Sequence, residues 1–391
     1  MNNWAEFELS EAIKTNVESI NQGYPHEEIL YLDTGSITKG KIEQLQHLRM
    51  QEAPSRARRL AKHEDIVYSS VRPIQRHYGF IEHPSDNLVV STGFVVITCK
   101  KNKVDPKFTY YYLTLDQIVE ELDIIAEAST STYPSLKPSD IEKLVVKFPV
   151  DVTEQRAIAD VLTCLDDKID LLHRQNKTLE AMGETLFRQW FVEDAQENWT
   201  DCSVSDFADH AKENVIPQNH ADNLFSHYSI PSFDNERRPT LEPGREILSN
   251  KFKVLPYSIL VSKLNPRTPR IWPICELSND NSICSTEFQV IKPKSQDLFG
   301  FILFLLRSNE ATEALIMAAS GTSGSHQRVR PEDILNIGIK LPSETLAKKF
   351  SDLVMPNITK MQANLSQIQT LEKLRDTLLP KLLSGEVKVE I

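Results

Sequence analysis

Between Ile158 and Leu186 the apolar residues alternate in steps of four and three: Ile158, Leu162, Leu165, Ile169, Leu172, then Leu179 and Leu186. That spacing is the seam of a coiled coil, with helix entry expected at Thr153. Asn176 and Gly183 fill the remaining seam positions. A buried Asn would fix the register at some cost in stability, whereas on a loosened stretch it would be solvated; the pattern leaves both open. A second run reads Leu346, Phe350, Leu353, Ile358, Met361, Leu365, Ile368, Leu371, Leu374, Leu378 and Leu382. Pro356 predicts a kink or a break into two helices there, and Gly385 marks the end. Each run spans about 35–40 residues, roughly 50 Å if helical. Neither is expected to be stable alone, and pairing the two as an antiparallel coiled coil buries both seams.

Elsewhere the pattern shortens to strand-like runs at Glu28–Asp33, Asp65–Ser69, Phe94–Thr98 and Leu144–Phe148, and again at Ser258–Ser262, Phe288–Ile291 and Ile337–Leu341. One helix per half is predicted between the last two strands of each set, over Tyr110–Ala128 and Leu298–Ala319. The two sets are copies offset by about 193 residues. Asp65-Ile-Val-Tyr-Ser-Ser-Val-Arg-Pro73 answers to Ser258-Ile-Leu-Val-Ser-Lys-Leu-Asn-Pro266, and Lys137-Pro-Ser-Asp-Ile to Arg330-Pro-Glu-Asp-Ile. The organisation is therefore domain–helix–domain–helix: a mixed α/β (α+β) domain over 1–150, a helical spacer over 151–200, a second such domain over 201–342 and a second helix over 343–391. Two similar surfaces presented in this way suit two sites on one long ligand.

Of the 391 residues, 40% are hydrophobic and 25% charged, the composition of a globular protein. No apolar run approaches the roughly 20 residues that cross a bilayer, and the start lacks the features of a secretory signal. Five cysteines without paired spacing predict reduced thiols, a cytoplasmic location and no structural metal. The net charge of −11 argues against a chain that coats nucleic acid by itself. The acid is concentrated in the spacer, where residues 151–200 carry 5 cations against 11 anions.

Catalytic chemistry does not emerge from the motifs. Gly35-Ser-Ile-Thr-Lys-Gly-Lys41 approaches a phosphate-binding loop, but Ile42 stands where a Mg²⁺-binding hydroxyl is required, so a glycine turn between strands is expected. Asn265-Pro-Arg-Thr only loosely matches the Asn-Pro-Pro-aromatic motif of adenine methyltransferases, lacking the second Pro and the stacking aromatic. What remains is binding chemistry. Arg56, Arg58, Arg59 and Lys62 cluster within seven residues, and Arg72 and Arg76 flank the turn after Asp65–Ser69. The second copy has Lys263, Arg267 and Arg270 at its equivalent turn. Polar loops follow at matching places, with Thr132 and Tyr133 in one and Ser325, Gln327 and Arg328 in the other. Arginine bridges phosphates or reaches guanine bidentately, lysine neutralises phosphate, and Gln suits adenine.

Taken in order, these features resemble the DNA-specificity subunit of a type I restriction-modification system along essentially the whole chain. The motifs that carry the resemblance are Thr153-Glu-Gln-Arg-Ala-Ile-Ala-Asp-Val-Leu162 opening the central helix, Glu184-Thr-Leu-Phe-Arg-Gln-Trp-Phe191 closing it, and Leu378-Leu-Pro-Lys-Leu-Leu-Ser-Gly-Glu386 at the end. The resemblance implies two target-recognition domains, 1–150 and 201–342, each reading half of a split, asymmetric site in double-stranded DNA. It implies that the paired helices, through Ile158, Leu162, Leu165, Ile169, Leu172, Leu179, Leu186, Leu365, Ile368, Leu374 and Leu378, act as spacer and as dock for two methyltransferase subunits. Restriction and translocase subunits would complete the complex. S-adenosylmethionine, ATP and Mg²⁺ would sit on those partners, with no cofactor, catalytic residue or metal on this chain. A subunit serving methylation only, and a helical scaffold without specific DNA binding, are the alternatives.

Overall fold

Alternating apolar spacing does produce two long helices, Val152–Arg188 and Glu344–Leu383. The computed structural model describes residues 3–128, 134–235, 237–277, 279–319, 327–341 and 343–390. Contacts divide the chain into two units, 1–170 with 368–391, and 171–367, so each long helix contributes one half to each unit.

In the first unit, Ile158 and Leu162 near the start of the central helix share a core with Leu382 and Leu383 near the end of the C-terminal helix. In the second, Phe187 near the end of the central helix meets Phe350 near the start of the other. The pairing is thus antiparallel within each unit. Ile158, Leu162, Ile169, Leu172 and Ile368 are buried, while Leu165, Leu179, Leu186, Leu365 and Leu378 are half-buried. Two expected seam residues are misplaced, since Leu353 and Leu374 are 48% and 45% exposed. Val354 takes the place of Leu353, giving the buried row Phe350, Val354, Ile358 at helical spacing. Near Leu374 the inward residue is the polar Arg375, whose Nη1 donates to Asp166 Oδ1 at 2.9 Å. The same Asp166 accepts from the Tyr111 hydroxyl at 2.8 Å. An apolar pattern cannot register a charged seam residue and points to the nearest leucine instead.

Pro356 does not break the C-terminal helix, which is continuous through it. Proline forfeits one backbone hydrogen bond, but Val354 and Ile358 on either side are fully buried and hold both turns to the core. Helix entry is set by Asp151, whose carboxylate accepts from Thr153 N at 2.8 Å, rather than by Thr153 itself. Two residues on, Gln155 is buried and ties Asp105 N to Pro149 O, both at 2.8 Å. At the far end Gly385, with φ of 77°, closes the second helix in the left-handed cap that glycine favours.

Asn176 proves to be one half of a polar pair. Asn364, fully buried, donates from Nδ2 to Asn176 Oδ1 at 2.8 Å, and Asn176 donates to Met361 O at 3.2 Å. Such a pair meets in one register only. Replacing Asn364 alone by Leu is expected to cost about 1–3 kcal/mol by stranding Asn176. Replacing both by Leu should recover that loss and loosen the register, which disulfide trapping between the two helices would reveal as several cross-linked alignments. A double variant as unstable as the single one would show that the pair does not set register.

Each domain builds its strands where the short apolar runs predict them. The first has an antiparallel sheet in the order Ile13–Thr15, Phe94–Cys99, Ile66–Ser69, Tyr78–Phe80. A mixed sheet follows in the order Gln46–Arg49, Glu28–Leu32, Leu88–Ser91, Ala57–Leu60, and Trp4–Glu8 pairs with Val145–Pro149. The second domain repeats this with Ala208–Ala211, Phe288–Pro293, Ser258–Ser262, Ile271–Ile274, then a five-stranded sheet, then Thr200–Ser203 with Gly338–Leu341. The single helix expected in each half is instead two, Pro106–Leu113 with Asp116–Glu127 and Phe299–Arg307 with Asn309–Ala318. In the second domain Ser308 makes the break, leaving helical geometry (φ −64°, ψ 156°) and capping the next helix by accepting from Ala311 N. The Gly35–Lys41 segment is a hairpin turn between Ile37–Thr38 and Lys41–Ile42. Gly40 adopts φ of 82° there, and a Cβ on it would collide with the Tyr110 hydroxyl. All five cysteines are free, and burial pushes the Cys99 and Cys284 thiols up to about 12.

Candidate nucleic-acid interface

The strongest structural repeat lies in the turn after the second strand of each homologous set. Ser69 Oγ donates to Val71 O and accepts from Val71 N, at 2.9 and 3.2 Å. Ser262 Oγ does the same with Leu264, at 3.2 and 3.1 Å. The next residue is in the left-handed region in both copies, Arg72 at φ 46° and Asn265 at φ 48°, and a proline follows each. Gln75 N donates to Arg72 O at 2.9 Å, and Thr268 N to Asn265 O at 3.0 Å. A second loop is pinned against this knuckle. Val71 bridges to Ser135 and Leu264 to Arg328, and Leu136 N donates to Ser70 O as Val329 N does to Lys263 O. The sequence offset is 193 at every one of these pairs. Identical backbone architecture therefore carries different side chains: Ser70, Arg72, Ile74 and Arg76 in one copy, Lys263, Asn265, Arg267 and Pro269 in the other.

The cations found by sequence fall into two groups at these turns. Arg72 and Arg267 are exposed and have no side-chain partner among the described residues. Arg76 and Arg270 are tethered, Arg76 to Asp116 at 2.7 Å and Arg270 to both oxygens of Asp234 at 2.7 and 2.9 Å. Burial lowers the Arg76 pKa, but Asp116 and Tyr78 outweigh it and the net shift is upward. Lys263 and Arg328 share Glu287, at 3.9 and 3.5 Å, and Arg328 remains 58% exposed. Gln327 accepts from Asn265 N through its carbonyl at 3.1 Å, and its buried Oε1 has no hydrogen-bond partner among the described residues. Thr132, Tyr133 and Ser325 lie outside the described residues.

The Arg56–Lys62 cluster runs along Ala57–Leu60, an edge strand of the mixed sheet. Arg56 and Arg58 are exposed, Arg56 pairing with Asp33 at 3.2 Å and Arg58 donating to Ser55 O at 3.2 Å. Lys62 pairs with Glu18 at the surface. Arg59 is turned inward, donating to Asn16 Oδ1 at 2.6 Å and to Phe94 O, and burial lowers its pKa. It is part of the domain's frame, so a ligand at this edge meets Arg56, Arg58 and Lys62. The sequence draws attention to Asn265 only as part of a discounted methyltransferase-like motif, whereas its more telling signal is its place opposite Arg72 in the repeat. No group of three metal-ligating side chains is present among the described residues, and no described helix is long and apolar enough to cross a membrane.

Two copies of one polar, backbone-locked turn, each in a domain with its own antiparallel helix pair, define a tandem-repeat architecture. Comparison with known proteins finds relatives for it. Residues 53–181 match the family model described as the type I restriction modification DNA specificity domain. The type I restriction enzyme HindI specificity subunit of Haemophilus influenzae is 32% identical over 193 residues, 49% of this chain and 42% of that one. The MjaIX specificity subunit of Methanocaldococcus jannaschii is 25% identical over 357 residues, 83% of this chain and 78% of that one. The alignment thus spans less than half the length of the HindI relative and most of the MjaIX one. The solved S subunit of a type I restriction-modification system from M. genitalium shares the fold, with a TM-score of 0.60 at 14% identity over 100% of this chain and 97% of that one. The chain is thus similar to specificity subunits of type I restriction enzymes, with residues 53–181 matching the family's DNA specificity domain.

Proposed function

We propose that this protein is the non-catalytic DNA-recognition subunit of a type I restriction-modification complex. It reads a bipartite, asymmetric target in double-stranded DNA, one half with each domain. The observation that carries this reading is the repeated knuckle: the same hydrogen bonds at an offset of 193, with different exposed side chains. Constant scaffold with variable polar tips is what two half-sites of different sequence require. Two adenine methyltransferase subunits dock on the paired helices, bringing S-adenosylmethionine, and restriction–translocase subunits bring ATP and Mg²⁺. Leu171, Met182, Leu353 and Leu374 are 39%, 49%, 48% and 45% exposed on these helices and offer apolar surface for such docking.

The test is to express the chain with its cognate methyltransferase in a methylation-free host and to map N6-methyladenine across the genome. A split motif with a fixed gap is the expected result. An intact complex that leaves no methylation, or methylates a continuous motif, would overturn the reading.

A further inference from the structure

We propose that Arg72 and Asn265 are specificity-determining residues, Arg72 reading a G·C pair in one half-site and Asn265 reading an A·T pair in the other. The assignment rests on the recognition function proposed above and goes further by naming the readers and their bases. It takes up a motif, Asn265-Pro266, that has no methyltransferase chemistry around it and stands in the repeat where Arg72-Pro73 stands.

The backbone gives the first reason. A non-glycine residue at positive φ is unfavourable, and a following proline disfavours it further by pushing its predecessor toward extended geometry. Glycine would fit both positions without that cost. Both copies nevertheless keep a long or polar side chain there, held by matching hydrogen bonds from the preceding Ser, the facing loop and the residue three further on. The structure contains an internal control in a second repeated pair at positive φ, Glu64 at 69° and Tyr257 at 51°. Those side chains are used within the domain: Glu64 pairs with Lys101, and the Tyr257 ring meets Phe299 edge-on at 5.9 Å. Arg72, by contrast, is exposed and without a side-chain partner among the described residues. The Asn265 side chain makes only a 3.4 Å contact to Thr268, within its own turn, among the described residues.

Chemistry gives the second reason. Arg reaches guanine O6 and N7 bidentately, and Asn reaches adenine N6 and N7 in the same manner. Arg76 and Arg270 beside them are less free to do so, being committed to Asp116 and Asp234. Arg267, two residues from Asn265, is exposed and suits a phosphate contact, which leaves the base edge to Asn265. A rigid turn that holds one bidentate group at a set place is suited to reading one base pair at a fixed position.

The experiment is methylome mapping of the complex carrying Arg72→Gly or Asn265→Gly. Glycine suits the positive φ, so both variants should fold at least as stably as the parent, which a thermal melt checks. Arg72→Gly should relax a single G·C position in one half-site, lowering discrimination there about 5- to 150-fold, and leave the other half-site unchanged. Asn265→Gly should relax one A·T position, other than the methylated one, in the opposite half-site. The exchange Arg72→Asn provides an independent test, since it should move preference at the same position from G·C toward A·T. A parent motif lacking those base pairs would overturn the assignment. So would unchanged motifs in the variants, or a uniform fall in methylation with the motif intact, which marks a phosphate contact. All three leave the split motif, and hence the recognition function, standing. A parent complex that yields no split motif sinks both.

Discussion

Glu180→Ala should destabilise the second unit by about 3–5 kcal/mol, because it strands a buried guanidinium. Glu180 lies on the central helix and faces two arginines of the second domain, Arg307 at 2.9 Å and Arg237 at 3.2 Å. The Arg307 side chain is only 6% exposed, and burial lowers its pKa despite the neighbouring carboxylates. Its remaining support is weaker: a 3.5 Å bond to Ile271 O, the Phe304 ring at 5.9 Å, and the more distant charge of Glu184, to which it makes no ion pair among the described residues. Arg237 is 39% exposed and can turn to water, so the loss falls mainly on Arg307. The double variant Glu180→Leu with Arg307→Met removes both charges and should recover most of the stability. Urea denaturation followed by near-ultraviolet signal measures this. A loss below 1 kcal/mol for Glu180→Ala would show that the cluster is solvated and does not hold the domain to the helix. Close approach at this point is made possible by Gly183, where any Cβ would run into the Phe304 ring.

The parts of the fold that the sequence displayed are those in which apolar residues alone settle the matter. The central seam at Ile158, Leu162, Ile169 and Leu172 and the strands at Phe94–Cys99 and Phe288–Pro293 follow directly from spacing. Misreadings arise where polar groups take apolar positions or the backbone departs from its period. Arg375 displaces Leu374 because Asp166, itself held by the Tyr111 hydroxyl, and Asp376 satisfy it, and Asn364 enters the core because Asn176 faces it across the helix pair. The predicted helix over Leu298–Ala319 is cut by Ser308, a residue that any composition-based reading passes as helical. At the repeated turns, clustering of cations did not separate free from tethered side chains. Arg59 and Arg72 look alike in sequence. One is bonded to Asn16 and Phe94 inside the domain, and the other stands exposed on a turn whose conformation no local pattern announces.

Phe350→Ala should cost the second unit about 3–5 kcal/mol, the range for deleting a fully buried aromatic ring. The ring is completely buried and lies edge-on to Phe187, Trp190, Phe191 and Phe304, with centroids 5.7, 5.9, 5.3 and 5.9 Å away. These neighbours belong to the end of the central helix, the turn that follows it and the helix Phe299–Arg307, while Phe350 itself is on the C-terminal helix. One side chain thus joins two long helices to a domain, and its removal leaves a void bounded by three elements that cannot all close in. Leu374→Ala provides the contrast, because that side chain is 45% exposed and its loss should fall within about 0.5 kcal/mol of the parent. Chemical denaturation of the two variants side by side decides the matter. Equal losses would mean that the aromatic cluster merely fills space, and the junction of helices and domain would have to be sought at Glu180 and Arg307 alone.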